Sequence, residues 1–293
     1  MNPTPTQVPI PVTIIADDYA LSPGISDAVL ELAEAGRLSG TGAMVPSPIW
    51  PAQARRLAAA PSDFHAGLHL TLTGGLSPLG DLGPLAPGGH LPGIGTWMGW
   101  SLTGRLCGEP PRRLIAAEIA RQLGRFEDAM GRAPDFIDGH QHVHLLPGIR
   151  GALLAEMVRR YPGGGVWLRN CTDRPDYLLA RGVAPAKAAL IAALAFRLGA
   201  AAHRRGIVTN HSFAGVYNFD GDFSARMRCF LRRGRPGLLV MVHPGYPDAV
   251  LASLDPVTQP RLSELDYLAG PAFAADLAAA NMVVARGHKT PLG

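Results

Sequence analysis

Long apolar runs are missing from this chain. Its most apolar later stretch, residues 188–196, is bracketed by Lys187 and Arg197 and falls far short of the ~20 apolar residues that cross a bilayer. The opening MNPTPTQVPIP has neither a basic n-region nor an apolar h-region, so no secretory signal is legible and a flexible, proline-rich arm is expected over residues 1–11. Cysteine is scarce. Cys107, Cys171 and Cys229 lie far apart with no CxxC pair, which fits a reducing compartment, the cytoplasm, better than a disulfide framework. Charge is sparse as well: 17% of residues are charged, the net charge is +4, and no long basic run occurs. That argues against nucleic acid as a partner and leaves only a mild attraction to phosphate or to an anionic membrane surface.

What the chain does have is core material. With 47% apolar residues in 293 it folds, and α/β barrels reach this size as one domain. Short apolar runs recur between longer Ala/Leu/Arg segments at 12–16, 41–45, 66–70, 136–138, 166–169, 207–209, 238–242 and 282–285. Strand, helix, strand is the rhythm of a parallel α/β fold. Eight such runs predict a TIM-like (β/α) barrel, complete or distorted, spanning 12–293 as a single domain.

Ser22-Pro23 reads as an N-cap followed by proline in the first turn, with a stop at Gly36. Residues 112–130 form an amphipathic helix, and another runs over 147–160. Two regions break the rhythm. The Gly/Pro-rich stretch 74–111 carries Trp97 and Trp100 and is too long for an ordinary connection, so a functional loop is expected. Residues 177–203 predict one or two Ala-rich helices inserted outside the barrel count.

Polar groups gather at the strand ends, where parallel barrels build their sites. Asp17 and Asp18 end the first strand, His69 the third, Asp138 and His140 the fourth, Arg169 the fifth and His243 the seventh. Adjacent carboxylates repel unless a cation or proton lies between them. An Asp-Asp pair alone is usually a loop or cap feature, and a lone His69 is usually a hydrogen-bonded core histidine. Together with DGHQHVH they offer one carboxylate and two or more imidazoles, the ligand mix of a catalytic divalent metal with open positions. One Asp would bind the ion and the other take a proton from water. Of the three alternating histidines, His140 is favoured as ligand with His144 as substitute, while His142 would touch substrate or support the ligands.

The runs ADDYALS, GLHLTLT, DGHQHVHLLP, the strand ending in LRN, MVHPGYPD and RLSELDYL resemble those of the YdjC-type (ChbG/HpnK) carbohydrate deacetylases over residues 12–285. The resemblance implies a deformed (β/α) barrel and metal-dependent removal of acetyl from an N-acetylated sugar. It carries the family's ligands to Asp18, His69 and His140 and its general base to Asp17. The family usually has Phe-Gly after the paired acids, whereas this chain has Tyr19-Ala20, which removes glycine's freedom at positive φ.

Such chemistry also needs an acid for the departing amine, and His243 is the expected donor from the opposite side of the rim. Asp138, His142, His144 and Arg169 are expected to contact substrate or support the ligands, Arg169 by pairing with Asp17 or gripping substrate oxygens. Arg261 and Glu264, three apart on a helix, read as a surface pair without a catalytic role. Trp97 and Trp100 would stack on a sugar, touch lipid or anchor their loop. One divalent ion is expected, zinc favoured over magnesium by ligand softness. The apolar stretch 188–196 with Arg197, Arg204 and Arg205 suits a membrane surface, so a lipid-linked N-acetylhexosamine is weighed beside a soluble chito-oligosaccharide. Alternatives are a metal phosphoesterase, which generally needs more bridging carboxylates, and a non-catalytic sugar-binding module with a structural metal, which would need neither base nor acid.

Overall fold

A computed structural model of the chain describes residues 8–287. Eight parallel strands lie between helices: β1 Ile10–Tyr19, β2 Gly40–Ala43, β3 His65–Leu70, β4 Phe136–Gly139, β5 Trp167–Leu168, β6 Ser212–Ala214, β7 Leu238–Val242 and β8 Met282–Val284. Of the expected N-terminal arm, residues 1–7 lie outside the described residues, and Ile10 and Pro11 already belong to β1. Every residue of β1 from Val12 onward is buried, which explains a continuous apolar run where a one-sided strand would alternate. Ile14 and Ile15 are fully buried, each worth about 1.5–3 kcal/mol of removed apolar surface.

The sheet runs β5-β4-β3-β2-β1-β7-β6, with β8 joined to β1 alone. β1 therefore pairs directly with β7, Val12 to Ala16 against Leu238 to Val242. β8 takes only the start of β1, Ile10 to Val12. A regular eight-strand barrel would place β8 between them, and this displacement is the deformation. The expected sixth strand at 207–209 is instead a single bridge, Thr209 to Leu168, and β6 begins at Ser212. Asn210 explains the break: its amide accepts from Asn170 N–H and donates to the Asn170 and Ser212 carbonyls, satisfying backbone groups that a ladder would otherwise pair.

Ser22 caps the helix Pro23–Glu34 by accepting from Ile25 N–H. The long helix Glu109–Met130 sends Gln122 and Glu118 to the segment following β3: Gln122 donates to Thr71 O and accepts from Thr71 N–H, and Glu118 accepts from Leu79 N–H. The 74–111 region, expected as a functional loop, is partly helical. It contains the helix Ile94–Leu102, whose Trp97 is fully buried and hence cannot stack on a ligand, while Trp100 packs on it edge-on under Arg105. The 177–203 region holds three short helices, Pro175–Arg181, Pro185–Leu194 and Leu198–His203. Residues 185–203 are apolar enough on average to cross a membrane, but Arg197 at φ +66 breaks the run into two helices, each too short to span one.

Candidate active site

A regular strand sends consecutive side chains to opposite faces, yet Asp17 and Asp18 both reach one buried pocket. The cause is a bulge. Between Ala16↔Thr41 and Tyr19↔Ala43 the register of β1 against β2 slips, giving β1 one extra residue, and Asp18 takes φ +67. Such bulges re-aim a side chain. Ala20, at φ +70, continues the left-handed bend at the position where glycine was expected.

Strands β3 and β4 supply the next pair. His69 is in register with Asp138, so the two side chains are neighbours and His69 Nδ1 lies 2.6 Å from Asp138 Oδ1. Gly42 on β2 makes room: a Cβ there would stand 3.0 Å from His69 Nδ1 and 3.1 Å from Asp138 Oδ1. After Gly139 the chain leaves the strand for a 3-10 turn, His140–Leu145, with Gln141 and His142 at positive φ. The three histidines consequently face three ways. His140 Nδ1 approaches Asp18 Oδ1 at 2.8 Å. His144 Nε2 turns to the Arg169 carbonyl at 3.1 Å. His142 packs on Phe213 and lies 3.6 Å from Cys171 Sγ, away from the paired acids.

Asp18 Oδ1 is thus shared by His140 and by His69 Nε2 at 3.3 Å, and one ligand atom from each of the three residues lies within 4.8 Å of the others. All three are buried. A tetrahedral ion with bonds near ~2.1 Å holds its ligands roughly 3.4 Å apart, so the donor set and its spacing fit a borderline divalent cation. Asp138, accepting from Nδ1–H, fixes the tautomer that turns the Nε2 lone pair of His69 toward Asp18, the usual support of a metal-binding imidazole. A second triplet, Asp17, His69 and Asp138, is equally compact. Arg169 already fills it: its guanidinium makes two bonds to Asp17, 2.6 and 2.8 Å, and stands 2.5 Å from Asp138 Oδ2.

The two adjacent acids are driven apart electrostatically. Burial opposes ionisation of Asp18, but Arg261 and His140 outweigh it and hold the carboxyl well below its ordinary range. Burial pushes Asp17 up despite Arg169, because one guanidinium serves two buried carboxylates, and Asp138 takes the lower value. A firmly ionised acid beside one that accepts a proton more readily is the pattern of divided roles. Burial disfavours the His69 cation, yet Asp138 and Asp17 raise the ring to about 10.

His243 follows β7, which neighbours β1, so it stands beside Asp17 and not across the rim as expected; its Nε2 is 3.9 Å from Asp17 Oδ2. Burial, then the nearby arginines, lower it to about 3, and it rests neutral. The largest correction concerns Arg261 and Glu264. They are no surface pair: both are buried, Arg261 donating to Asp18 Oδ2 at 2.7 Å and to Asp255. Glu264 accepts from Tyr217 Oη–H and from His243 N–H at 2.6 Å. The signal was present, since Arg261 and Glu264 share the i, i+3, i+4, i+7 stripe of Leu265 and Leu268, the buried face of a helix.

Fold and site together define a deformed (β/α) barrel with a buried carboxylate–imidazole cluster at the C-terminal ends of its strands. The chain belongs to the family described as YdjC-like protein, whose profile matches residues 11–279. It is 34% identical over 260 residues to a chitooligosaccharide deacetylase of Escherichia fergusonii, covering 86% of this chain and 88% of that one. It is 29% identical over 301 residues to the carbohydrate deacetylase of Homo sapiens, covering 91% and 87%. A solved structure from Enterococcus faecalis V583, described as a "putative cellobiose-phosphate cleavage protein", superposes with a TM-score of 0.69 at 18% identity over 94% of this chain and 97% of that one, a likeness of fold.

Proposed function

We propose that the chain is a metal-dependent carbohydrate N-deacetylase that hydrolyses the acetamide of an N-acetylated sugar to acetate and a free amine. The observation that carries this reading is the meeting of Asp18 Oδ1 with nitrogens of His69 and His140 beside a second, raised carboxyl. Asp18, His69 and His140 would hold one divalent ion, zinc favoured over magnesium by two imidazoles. When bound, the ion polarises an amide carbonyl and acidifies water. Asp17, fixed by the two-pronged grip of Arg169, accepts the proton of the attacking water. The departing nitrogen leaves only as an amine, and His243 Nε2 hands it that proton. Because His243 rests neutral, the proton must be relayed, and Asp17 at 3.9 Å is the nearest carrier. The names of the relatives, chitooligosaccharide and carbohydrate deacetylases, support the same substrate class. Arg169 between Asp17 and Asp138 argues against a two-metal phosphoesterase, whose second ion would need that position.

Asp17→Asn tests the division of labour. It should retain the bound ion while acetate release from N-acetylated sugars falls by about 10²-fold or more, the worth of a general base. Full activity in that variant would refute the assignment.

The proposal extends to where the sugar is presented. From 184 to 206 the chain has no acidic residue, while Lys187, Arg197, Arg204 and Arg205 are cationic. Leu179, Leu190 and Phe196 are 77%, 48% and 64% exposed in the same region. An exposed apolar stretch whose own charges are all positive, with Asp176 on the neighbouring helix, that of Leu179, suits an anionic bilayer better than a second copy, which would bring like charges together. This favours a lipid-linked N-acetylhexosamine at the inner membrane face, in the cytoplasm, where the three cysteines stay as thiols.

A further inference from the structure

Glu264 is buried beneath the rim and, among the described residues, takes no hydrogen bond from a cationic side chain; Arg261, on the same helix, directs its guanidinium to Asp18 and Asp255. Its carboxylate instead grips His243. Oε2 accepts the His243 backbone N–H at 2.6 Å, and Oε1 stands 3.9 Å from His243 Nδ1. That Nδ1 is buried and has no hydrogen-bond partner. The other ring nitrogen, Nε2, points to Asp17. Phe219 closes the imidazole edge-on at 5.1 Å, and Tyr217 donates to the same Oε1 that faces Nδ1.

We infer that Glu264 is a positioning residue for His243: it sets the ring so that Nδ1–H faces a carboxylate and Nε2 faces the reacting nitrogen, and it stabilises the imidazolium that exists while a proton is in transit. This rests on the reading of His243 as the group that protonates the leaving amine. A neutral imidazole buried from water and flanked by arginines is a poor proton carrier, and an adjacent buried carboxylate on its other nitrogen favours its transient protonation. Closing 3.9 Å to a hydrogen bond needs a shift of about 1 Å, of the kind catalytic contacts undergo when substrate is bound. Tyr217 opposes this by drawing charge from Oε1. No atom of Glu264 needs to touch substrate, and the proton balance is complete within the site: water gives its proton to Asp17, His243 receives one and the amine takes it.

The test is a kinetic comparison of Glu264→Gln, Tyr217→Phe, His243→Ala and the double variant His243→Ala/Glu264→Gln, each loaded with zinc and checked for bound metal and thermal midpoint. Glu264→Gln should lower kcat by about 10²-fold with KM little changed, and should remove the acid limb that the Glu264 carboxyl, pushed up by burial to about 7, gives the kcat profile. Tyr217→Phe, which removes a hydrogen bond from Oε1, should move that limb to higher pH. In the His243→Ala background the Glu264 change should cost almost nothing further. A purely structural Glu264 would lower metal content or melting temperature and leave that limb in place. Equal losses from Glu264→Gln with and without His243 would overturn the pairing while leaving deacetylation intact. Unimpaired activity of His243→Ala would overturn both the pairing and the role of His243, whereas the reading of the protein as a deacetylase would then still stand or fall on Asp17→Asn.

Discussion

At the residue scale the site depends on charge placed where water cannot screen it. His69 lies between Asp138 and Asp18, and the charges of Asp138 and Asp17 keep its second proton up to about 10. A metal ligand must give that proton up. Uptake of zinc by the metal-free protein near pH 8 should therefore release about one proton from His69, and affinity should rise about tenfold per pH unit until about 10, measurable by calorimetry in buffers of different ionisation enthalpy. Proton-neutral uptake would contradict His69 as a ligand. The sequence made Asp17, Asp18, His69 and His140 legible because each ends an apolar run. It hid Arg261 and Glu264, because charged residues on a helix are exposed far more often than buried, and only their alignment with Leu265 and Leu268 betrays them. Ala20 was expected to alter the loop by removing glycine's freedom, yet it adopts positive φ all the same, at a cost of about 1 kcal/mol.

At the scale of elements, the site is made by irregularities that periodicity does not carry. The alternation of His140, His142 and His144 suggests one strand face, yet the strand has ended at Gly139 and a 3-10 turn disperses the rings. The bulge in β1 is equally silent in sequence, although without it Asp17 and Asp18 would point apart. Register, by contrast, acts through small residues. Gly42→Ala would press a methyl against the His69–Asp138 pair, and metal affinity should fall about 10-fold or more, as when a ligand's supporting contact is disturbed, while the melting temperature shifts little. Unchanged zinc affinity in a titration against a chelator would show that the pair tolerates displacement.

For the whole molecule, eight parallel strands were legible from apolar runs, and seven of the expected runs overlap observed strands. Their spatial order was not. Nothing local announces that β7 pairs with β1 and sets β8 aside, and that neighbourhood is what brings His243 to Asp17. The short helices between β5 and β6 lie on the rim side: Arg150 ties their backbone at Leu194 and Phe196, and Lys187 bonds Tyr217 O, close to the residues that hold His243. Vesicles containing phosphatidylglycerol should carry the protein upward in flotation, and a Leu179→Asp/Leu190→Asp/Phe196→Asp variant should stay behind with undiminished activity on a soluble substrate. Equal flotation on neutral vesicles, or a concentration-dependent dimer lost in the variant, would contradict the anionic bilayer as the partner.

The central proposal at every scale is one ion held by Asp18, His69 and His140. Anomalous diffraction from zinc-loaded crystals measures this directly. A single peak about 2.0–2.2 Å from a carboxylate oxygen of Asp18 and from one nitrogen of each histidine is the expected result. A peak seated instead between Asp17 and Asp138, with Arg169 displaced, or one ligated by His144 in place of His140, would contradict it.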